Sequence, residues 1–417
     1  MTRPVGRRVF ITGLGLIAPH GEDPESVFDR IYQGDSAVRM VRSGTVDFGS
    51  DLPLATADFR PKDRIPKTQQ LFMARASQMA VVAAEGALQS SGLFGVGQEG
   101  PEDGEIGVYM GCGLGGAEIL QEGYRTYFVR QSRRGRPSTV PMIMASGPAS
   151  HISMRFGLHG PTHTYSIACA SSTVAIGEAF RAIRDGYLDT ALSGGAEAML
   201  NDGSIAAWER LGVLASSHTD GPEASSRPFD LERTGFVLGE GAALLVLEAE
   251  SALQERAVDP IAEIIGYGVS SDAFSLTEPH AAGQEAAMRS AITDADIERE
   301  EVQYVNAHAT GTPSGDPIEI EAIKSIFEDH ASNLAVSSTK SVHGHLVGAS
   351  GALETAISAI ALQKGRIPPT ANLTDPDPSC DLDCVAEYGR EAPELTVAIS
   401  NSFAFGGSNA TLVLRKV

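Results

Sequence analysis

Short apolar runs alternate with longer amphipathic stretches along almost the whole chain, and the series starts over near Ile261. Strand-like runs fall at residues 9–12, 106–110, 164–169, 190–193 and 242–247. Helical patterns fall at 70–90, 140–156 and 173–183. In the second series the strand-like runs are 261–269, 303–307, 334–337 and 395–400, and the helical ones 283–295, 319–330 and 349–363. Runs this short and apolar lack a solvated face, so they must be covered by the helices that follow them. The expected class is α/β, with sheets buried between helices. Residues 165–170 and 397–405 both run from a strand into a turn of small residues. That echo points to a duplicated architecture, divided as 1–255 and 256–417, with a site between the halves. The stretches 218–233 and 367–378 read as loops, since core-like segments bound them on both sides.

A net charge of −21 argues against nucleic acid or an anionic membrane as a general partner. Basic residues nevertheless gather locally, at Lys62, Arg64 and Lys67 and again at Arg130, Arg133 and Arg134, where an acidic partner would find a complementary patch. No apolar run approaches the roughly 18 residues that a membrane span requires. Residues 7–18 look superficially like a secretion signal, but Gly13 and Gly15 interrupt the apolar stretch, and a first buried strand accounts for it better. The four cysteines, Cys112, Cys169, Cys380 and Cys384, are too sparse for a disulfide framework, and a reducing cytoplasm is expected. No histidine stands near Cys380 and Cys384 in sequence, so no metal is expected there.

Three residues stand out chemically. Cys169 ends a strand-like run and directly precedes a helical pattern, which places its sulfur in the field of a helix N-terminus, where thiolate is favoured. His308 lies in Asn306-Ala307-His308-Ala309-Thr310-Gly311-Thr312, just past a strand, and His345 in Lys340-Ser341-Val342-His343-Gly344-His345-Leu346-Val347-Gly348-Ala349, just before a helix. One thiol with two imidazoles suits acyl transfer, the rings donating hydrogen bonds to an oxyanion or enolate on a thioester. A cysteine protease differs in needing one imidazole as base and a third group to orient it.

These blocks, with Ala168-Cys169-Ala170-Ser171, Ser226-Arg227-Pro228-Phe229-Asp230, residues 235–241 and the closing Asn401–Asn409 segment, resemble those of β-ketoacyl-[acyl-carrier-protein] synthases, in order from about Arg8 to Leu414. The resemblance implies a thiolase-like fold of two similar halves in an α-β-α-β-α arrangement. It implies decarboxylative Claisen condensation of an acyl group on Cys169 with malonyl-acyl carrier protein. His308 and His345 then hold the malonyl thioester oxygen, and Thr310 and Thr312 flank the phosphopantetheine arm. Lys340 and Glu354 support the histidines. The backbone N–H groups of Cys169 and Phe405 form an oxyanion hole, Phe405 gates the acyl pocket, and Phe403 and Leu114 contact substrate. The partner is an acyl carrier protein, docked by Lys62, Arg64, Lys67, Arg130, Arg133 and Arg134. A homodimer is implied, with a heterodimer of the ketosynthase/chain-length-factor kind as alternative. No cofactor is implied beyond the phosphopantetheine that arrives on the carrier, and no metal; Asn306, Glu354, Ser400 and Asn401 match positions where some relatives hold a monovalent cation.

A thiolase acting on acyl-CoA is the nearest other enzyme. It would carry a second cysteine in the closing block, where this chain has Phe405. Departures from the housekeeping pattern, such as Met142, His343 and Ala404, look closer to dedicated condensing enzymes of secondary metabolism, including the nodulation-factor type.

Overall fold

The computed structural model describes residues 6–41, 51–94, 105–256 and 258–417. Ten strands make one mixed sheet: β1 (Val9–Ile17), β2 (Gly107–Gly111), β3 (Thr162–Tyr165), β4 (Thr190–Glu197), β5 (Gly241–Ala249), β6 (Ala262–Ser271), β7 (Tyr304–Asn306), β8 (Ala335–Ser337), β9 (Val397–Ala404) and β10 (Ser408–Arg415). Their spatial order is β8-β7-β9-β10-β6-β1-β5-β4-β2-β3. Counted within its own series, each set of five runs third, second, fourth, fifth, first from its outer edge. The directions repeat as well. β2 is parallel to β3 and β4, as β7 is to β8 and β9, and the remaining neighbours in each set are antiparallel. The sets meet at their first strands, where Val9, Phe10 and Ile11 pair with Ile264, Glu263 and Ala262.

This topology confirms a repeat but corrects which segments answer each other. Residues 165–170 follow a third strand, whereas 397–405 carry a fourth. The counterpart of the Cys169 turn is therefore the turn after β8, which holds His345. The two misaligned segments look alike because each leaves the C-terminal end of a parallel strand, where small residues let the chain turn closely.

Around the sheet lie α1 (Arg75–Ser90), α2 (Ala117–Tyr124), α3 (Gly147–Phe156), α4 (Ser171–Arg184), α5 (Asp202–Leu211), α6 (Ala281–Ala295), α7 (Gly315–Phe327) and α8 (Ser350–Lys364). α1 and α3 cover the outer face of the first set of strands, and α6 covers that of the second with α7 against it. α4 and α8 pack on each other and on strands of both sets, giving the α-β-α-β-α layering. Their sequences explain the position. α8 buries all its residues except Gln363 and Lys364: Leu353, Ile357 and Ile360 share one face, Leu362 lies on the opposite one, and the buried Ala352, Ala356 and Ala359 lie to the side. A helix apolar on every side belongs in the interior. Each such side chain contributes about 1.5–3 kcal/mol by leaving water.

Several boundaries differ from the sequence expectation. The 140–156 pattern breaks at Met144, whose backbone is extended, into a short helix Thr139–Ile143 and α3. In the closing block β9 continues to Ala404, and the turn is only Phe405–Gly407, with Gly406 and Gly407 at φ +87° and +73°. β10 was not expected; buried along nearly its whole length, it lacks the polar alternation that marks a half-exposed strand.

Candidate active site

The turns after β3 and β8 are built alike. Each passes through a tight 3-10 turn, Ala168–Ala170 or Val347–Ala349, and each places a non-glycine residue in the left-handed region, Ala168 at φ +42° and Val347 at +46°. A serine then opens the central helix. The Ile167 N–H donates to Ser171 Oγ (2.8 Å), and the Leu346 N–H to Ser350 Oγ (2.8 Å). Backbone held this way costs on the order of 1–3 kcal/mol per residue and persists where packing enforces it. In this correspondence Cys169 matches Gly348. A Cβ at Gly348 would lie 2.6 Å from Glu197 Oε2, so only one of the two turns has room for a functional side chain.

The fold brings Cys169, His308 and His345 together, all buried, with their donor atoms within 4.8 Å of one another. His345 Nε2 lies 2.9 Å from Cys169 Sγ. The two imidazole rings stand nearly perpendicular, with centroids 5.5 Å apart, and Phe236 presents an edge to His345 at 5.2 Å. A thiol and two imidazoles are also a donor set for a zinc-type ion.

Burial dominates the proton balance of this trio. It holds both imidazoles well below their ordinary range, with nearby Lys340 lowering them further, so both rings are neutral. It also pushes the Cys169 thiol up to about 12, although Lys340 and the backbone N–H groups of Phe405 and Cys169 favour the thiolate. This differs from the expectation drawn from the helix N-terminus, because burial of the sulfur is the largest influence on the thiol. The resting pair is a neutral thiol beside a neutral imidazole.

Lys340 and Glu354 form an ion pair in which both side chains are essentially inaccessible to water. Burial pushes the Glu354 carboxyl up, against the opposing pull of Lys340. Close by, both amide atoms of Asn306 and the Ser400 hydroxyl are buried and lack a protein partner among the described residues. Oxygens of this kind suit a hard monovalent cation or ordered water equally well.

Sequence reasoning missed the supports behind the histidines. Glu319 accepts hydrogen bonds from the backbone of His308 (2.9 Å) and Ala309 (2.7 Å) and from Asn401 Nδ2 (3.1 Å), and burial pushes it up to about 7. Asp316 accepts from the Gly311 and Phe229 N–H groups. Arg233 donates to the Thr312 and Pro313 carbonyls and pairs with Asp377. Together they pin the loop of His308, Thr310 and Thr312. The usable signal was Asp316 and Glu319 three residues apart, on the buried face of a helix that begins directly after the histidine block.

The trio borders a cavity of about 290 Å³ lined by Cys169, His308, His345, Thr310, Thr312, Phe403 and Phe405, with Trp208 and Phe236. Trp208 stacks on Phe405, with centroids 6.1 Å apart and planes 27° apart. Leu114 is elsewhere: it is 55% exposed, in a turn whose Gly113 and Leu114 N–H groups donate to Glu197. Of the six basic residues, all exposed, Arg64 pairs with Glu22 and Glu85 and Arg130 with Glu122. Lys62, Lys67, Arg133 and Arg134 have no carboxylate partner among the described residues.

Comparison with known proteins agrees with this geometry. Residues 6–252 match the family model "Beta-ketoacyl synthase, N-terminal domain" and residues 261–374 "Beta-ketoacyl synthase, C-terminal domain". Nodulation protein E of Rhizobium leguminosarum bv. trifolii is 40% identical over 412 residues, 99% of this chain and 100% of that protein. The 3-oxoacyl-[acyl-carrier-protein] synthase 2 of Staphylococcus aureus (strain COL) is 38% identical over 413 residues, 98% of each. Among solved structures, the ishigamide ketosynthase/chain length factor superposes with a TM-score of 0.91 at 31% identity, covering 99% of this chain and 100% of that one. With both family models matched in order around a buried cysteine and two histidines, the chain belongs to the β-ketoacyl synthase family.

Proposed function

We propose that the protein condenses an acyl group carried on Cys169 with malonyl-acyl carrier protein, giving a 3-oxoacyl carrier two carbons longer. The observation that carries this reading is a thiol and two neutral imidazoles brought together on the wall of one cavity. Thr310 and Thr312 on its wall suit the amides of phosphopantetheine.

In the first step Cys169 sulfur attacks the incoming thioester. The carrier's sulfur leaves and takes up the proton that Cys169 gives up. The N–H groups of Cys169 and Phe405, which already face the sulfur, hold the oxyanion. Malonyl-carrier then enters, and His308 and His345 donate to its thioester oxygen. The bond to the carboxylate breaks, CO₂ leaves, and the enolate carbon attacks the acyl carbonyl. Cys169 departs as thiolate and takes a proton from solvent. Neutral rings suit this role, since each keeps one N–H to donate. Burial keeps the rings neutral, and the nearby Lys340 charge lowers their basicity further.

Phe405 serves as the gate. Because the chain's single tryptophan stacks on it, acylation of Cys169 will change Trp208 emission in stopped flow. The change will be absent in C169A; an unchanged signal during acylation of the wild-type protein would place the gate elsewhere.

The carrier is proposed to dock where Lys62, Lys67, Arg133 and Arg134 have no carboxylate partner among the described residues, with Arg64 and Arg130 available by exchange of partners. Leu114, outside that cavity, is proposed to meet the acyl chain. The sheet edge at β3 is partly open and has a neighbour on one side only, and Tyr124, Tyr127, Phe128, Val129 and Met154 are exposed large apolar residues of the same half. An open edge with apolar exposure is a surface that proteins cover. A homodimer is therefore proposed, with the boundary between its two similar halves near residues 255–256. Four buried free thiols fit the cytoplasm.

The deciding experiment incubates the protein with acyl carriers and reads intact mass. An acyl adduct that maps to Cys169 and is discharged by malonyl-carrier with release of CO₂ is expected. No adduct, with malonyl-carrier left intact, would reject condensation. A dimer containing a second, different chain would favour the ketosynthase/chain-length-factor alternative.

A further inference from the structure

Ser171 and Ser350 hold matching places in the two halves, yet their hydroxyl protons go different ways. Each Oγ accepts a backbone N–H across its turn, and a serine hydroxyl has one proton of its own to donate. That of Ser171 goes to the Ala168 carbonyl at 2.7 Å. Ser350 Oγ instead lies 2.9 Å from His345 Nδ1, the partner available to its proton among the described residues. Both groups are buried, so bulk water cannot take the serine's place. A neutral imidazole carries a single N–H, and an Nδ1 that accepts from Ser350 leaves the proton on Nε2, the atom 2.9 Å from Cys169 Sγ.

We infer that Ser350 is a positioning residue that fixes His345 in the Nε2–H form. The ring thereby donates toward the sulfur and toward a bound thioester oxygen, and it is not the base that removes the thiol proton. The thiol–imidazole distance alone would suggest the opposite, a protease-like pair. His308 is not held in this way, because its Nδ1 is buried without a partner among the described residues. The two imidazoles are therefore unequal, and His345 is the one whose donor is set in advance. Only the kinetic part of this inference rests on the condensation proposed above.

The test is ¹⁵N NMR of the histidine-labelled full-length protein, with His345 assigned through H345N. The wild-type ring is expected to show a protonated Nε2 and an unprotonated Nδ1. In S350A the two forms will mix. The kcat for malonyl-carrier decarboxylation will fall about tenfold, the scale on which loss of a histidine's hydrogen-bonding partner acts in comparable sites, while KM stays nearly constant. S171A removes the equivalent turn-capping hydroxyl from the other half. It should lower Tm by a similar amount and leave the His345 ring signals in place, which separates positioning from structure. A protonated Nδ1 in the wild type, or unchanged ring signals in S350A, would overturn the inference. The wild-type spectrum decides the form by itself if S350A fails to fold. A wild-type protein without decarboxylation would reject the condensation and leave the ring-nitrogen result standing.

Discussion

Cys169→Ala will abolish acyl transfer to the protein and reduce condensation by at least about 10⁴-fold, the order seen when a covalent nucleophile is deleted. Malonyl-carrier decarboxylation will survive, because His308 and His345 reach the thioester oxygen from a different half of the chain. Side by side, intact mass with an acyl carrier and CO₂ release from malonyl-carrier measure the two steps. An adduct persisting in C169A would move the nucleophile to another thiol. Cys112, Cys380 and Cys384 are poor candidates: all are buried, and desolvation raises each thiol. Loss of both activities together would mean that the substitution had disturbed the histidines, which a Tm close to the wild-type value would argue against.

Lys340→Ala will cost about 3–5 kcal/mol of stability, since it strands the Glu354 carboxylate in the interior. Replacing both partners with apolar residues of similar volume, K340M/E354L, should recover most of that loss. Chemical denaturation of the single and double variants measures it. The double variant will regain stability without regaining activity, because Lys340 lowers the basicity of both imidazoles and opposes the burial that raises the Cys169 thiol. Equal denaturation midpoints for K340A and the wild type would show that the pair is structurally dispensable. Full activity in the double variant would confine Lys340 to a structural role.

Much of this site was legible in the sequence because its residues sit at punctuation marks. Cys169, His308 and His345 each fall where a strand-like or helical pattern begins or ends, beside small residues, and the fold puts those junctions on one side of the sheet. What could not be read is whatever depends on partners distant in sequence. A helix N-terminus is visible in a sequence, but the burial that raises the Cys169 thiol depends on the folded surroundings. Glu319, Asp316 and Arg233 are charged residues like many others until the fold shows their amide and carbonyl partners. Leu114 lies outside the cavity that holds the trio, in a turn held by a glutamate 83 residues away, a partner that no local pattern reveals. The repeat was also half visible. Small-residue turns advertise that a strand has ended, but not which strand of its series it is.

The seam between the two strand sets has a mechanical consequence. Three residue pairs join β1 to β6, so little of what holds the halves in register is sheet. The load passes through α4 and α8, which lie against each other and begin immediately after the Cys169 and His345 turns. The sulfur-to-ring distance is thus a helix-to-helix spacing, stiff in the way a packed interior is stiff. The Phe405–Gly407 turn is no part of that helix pair, so a change in the turn need not shift the sulfur away from the ring.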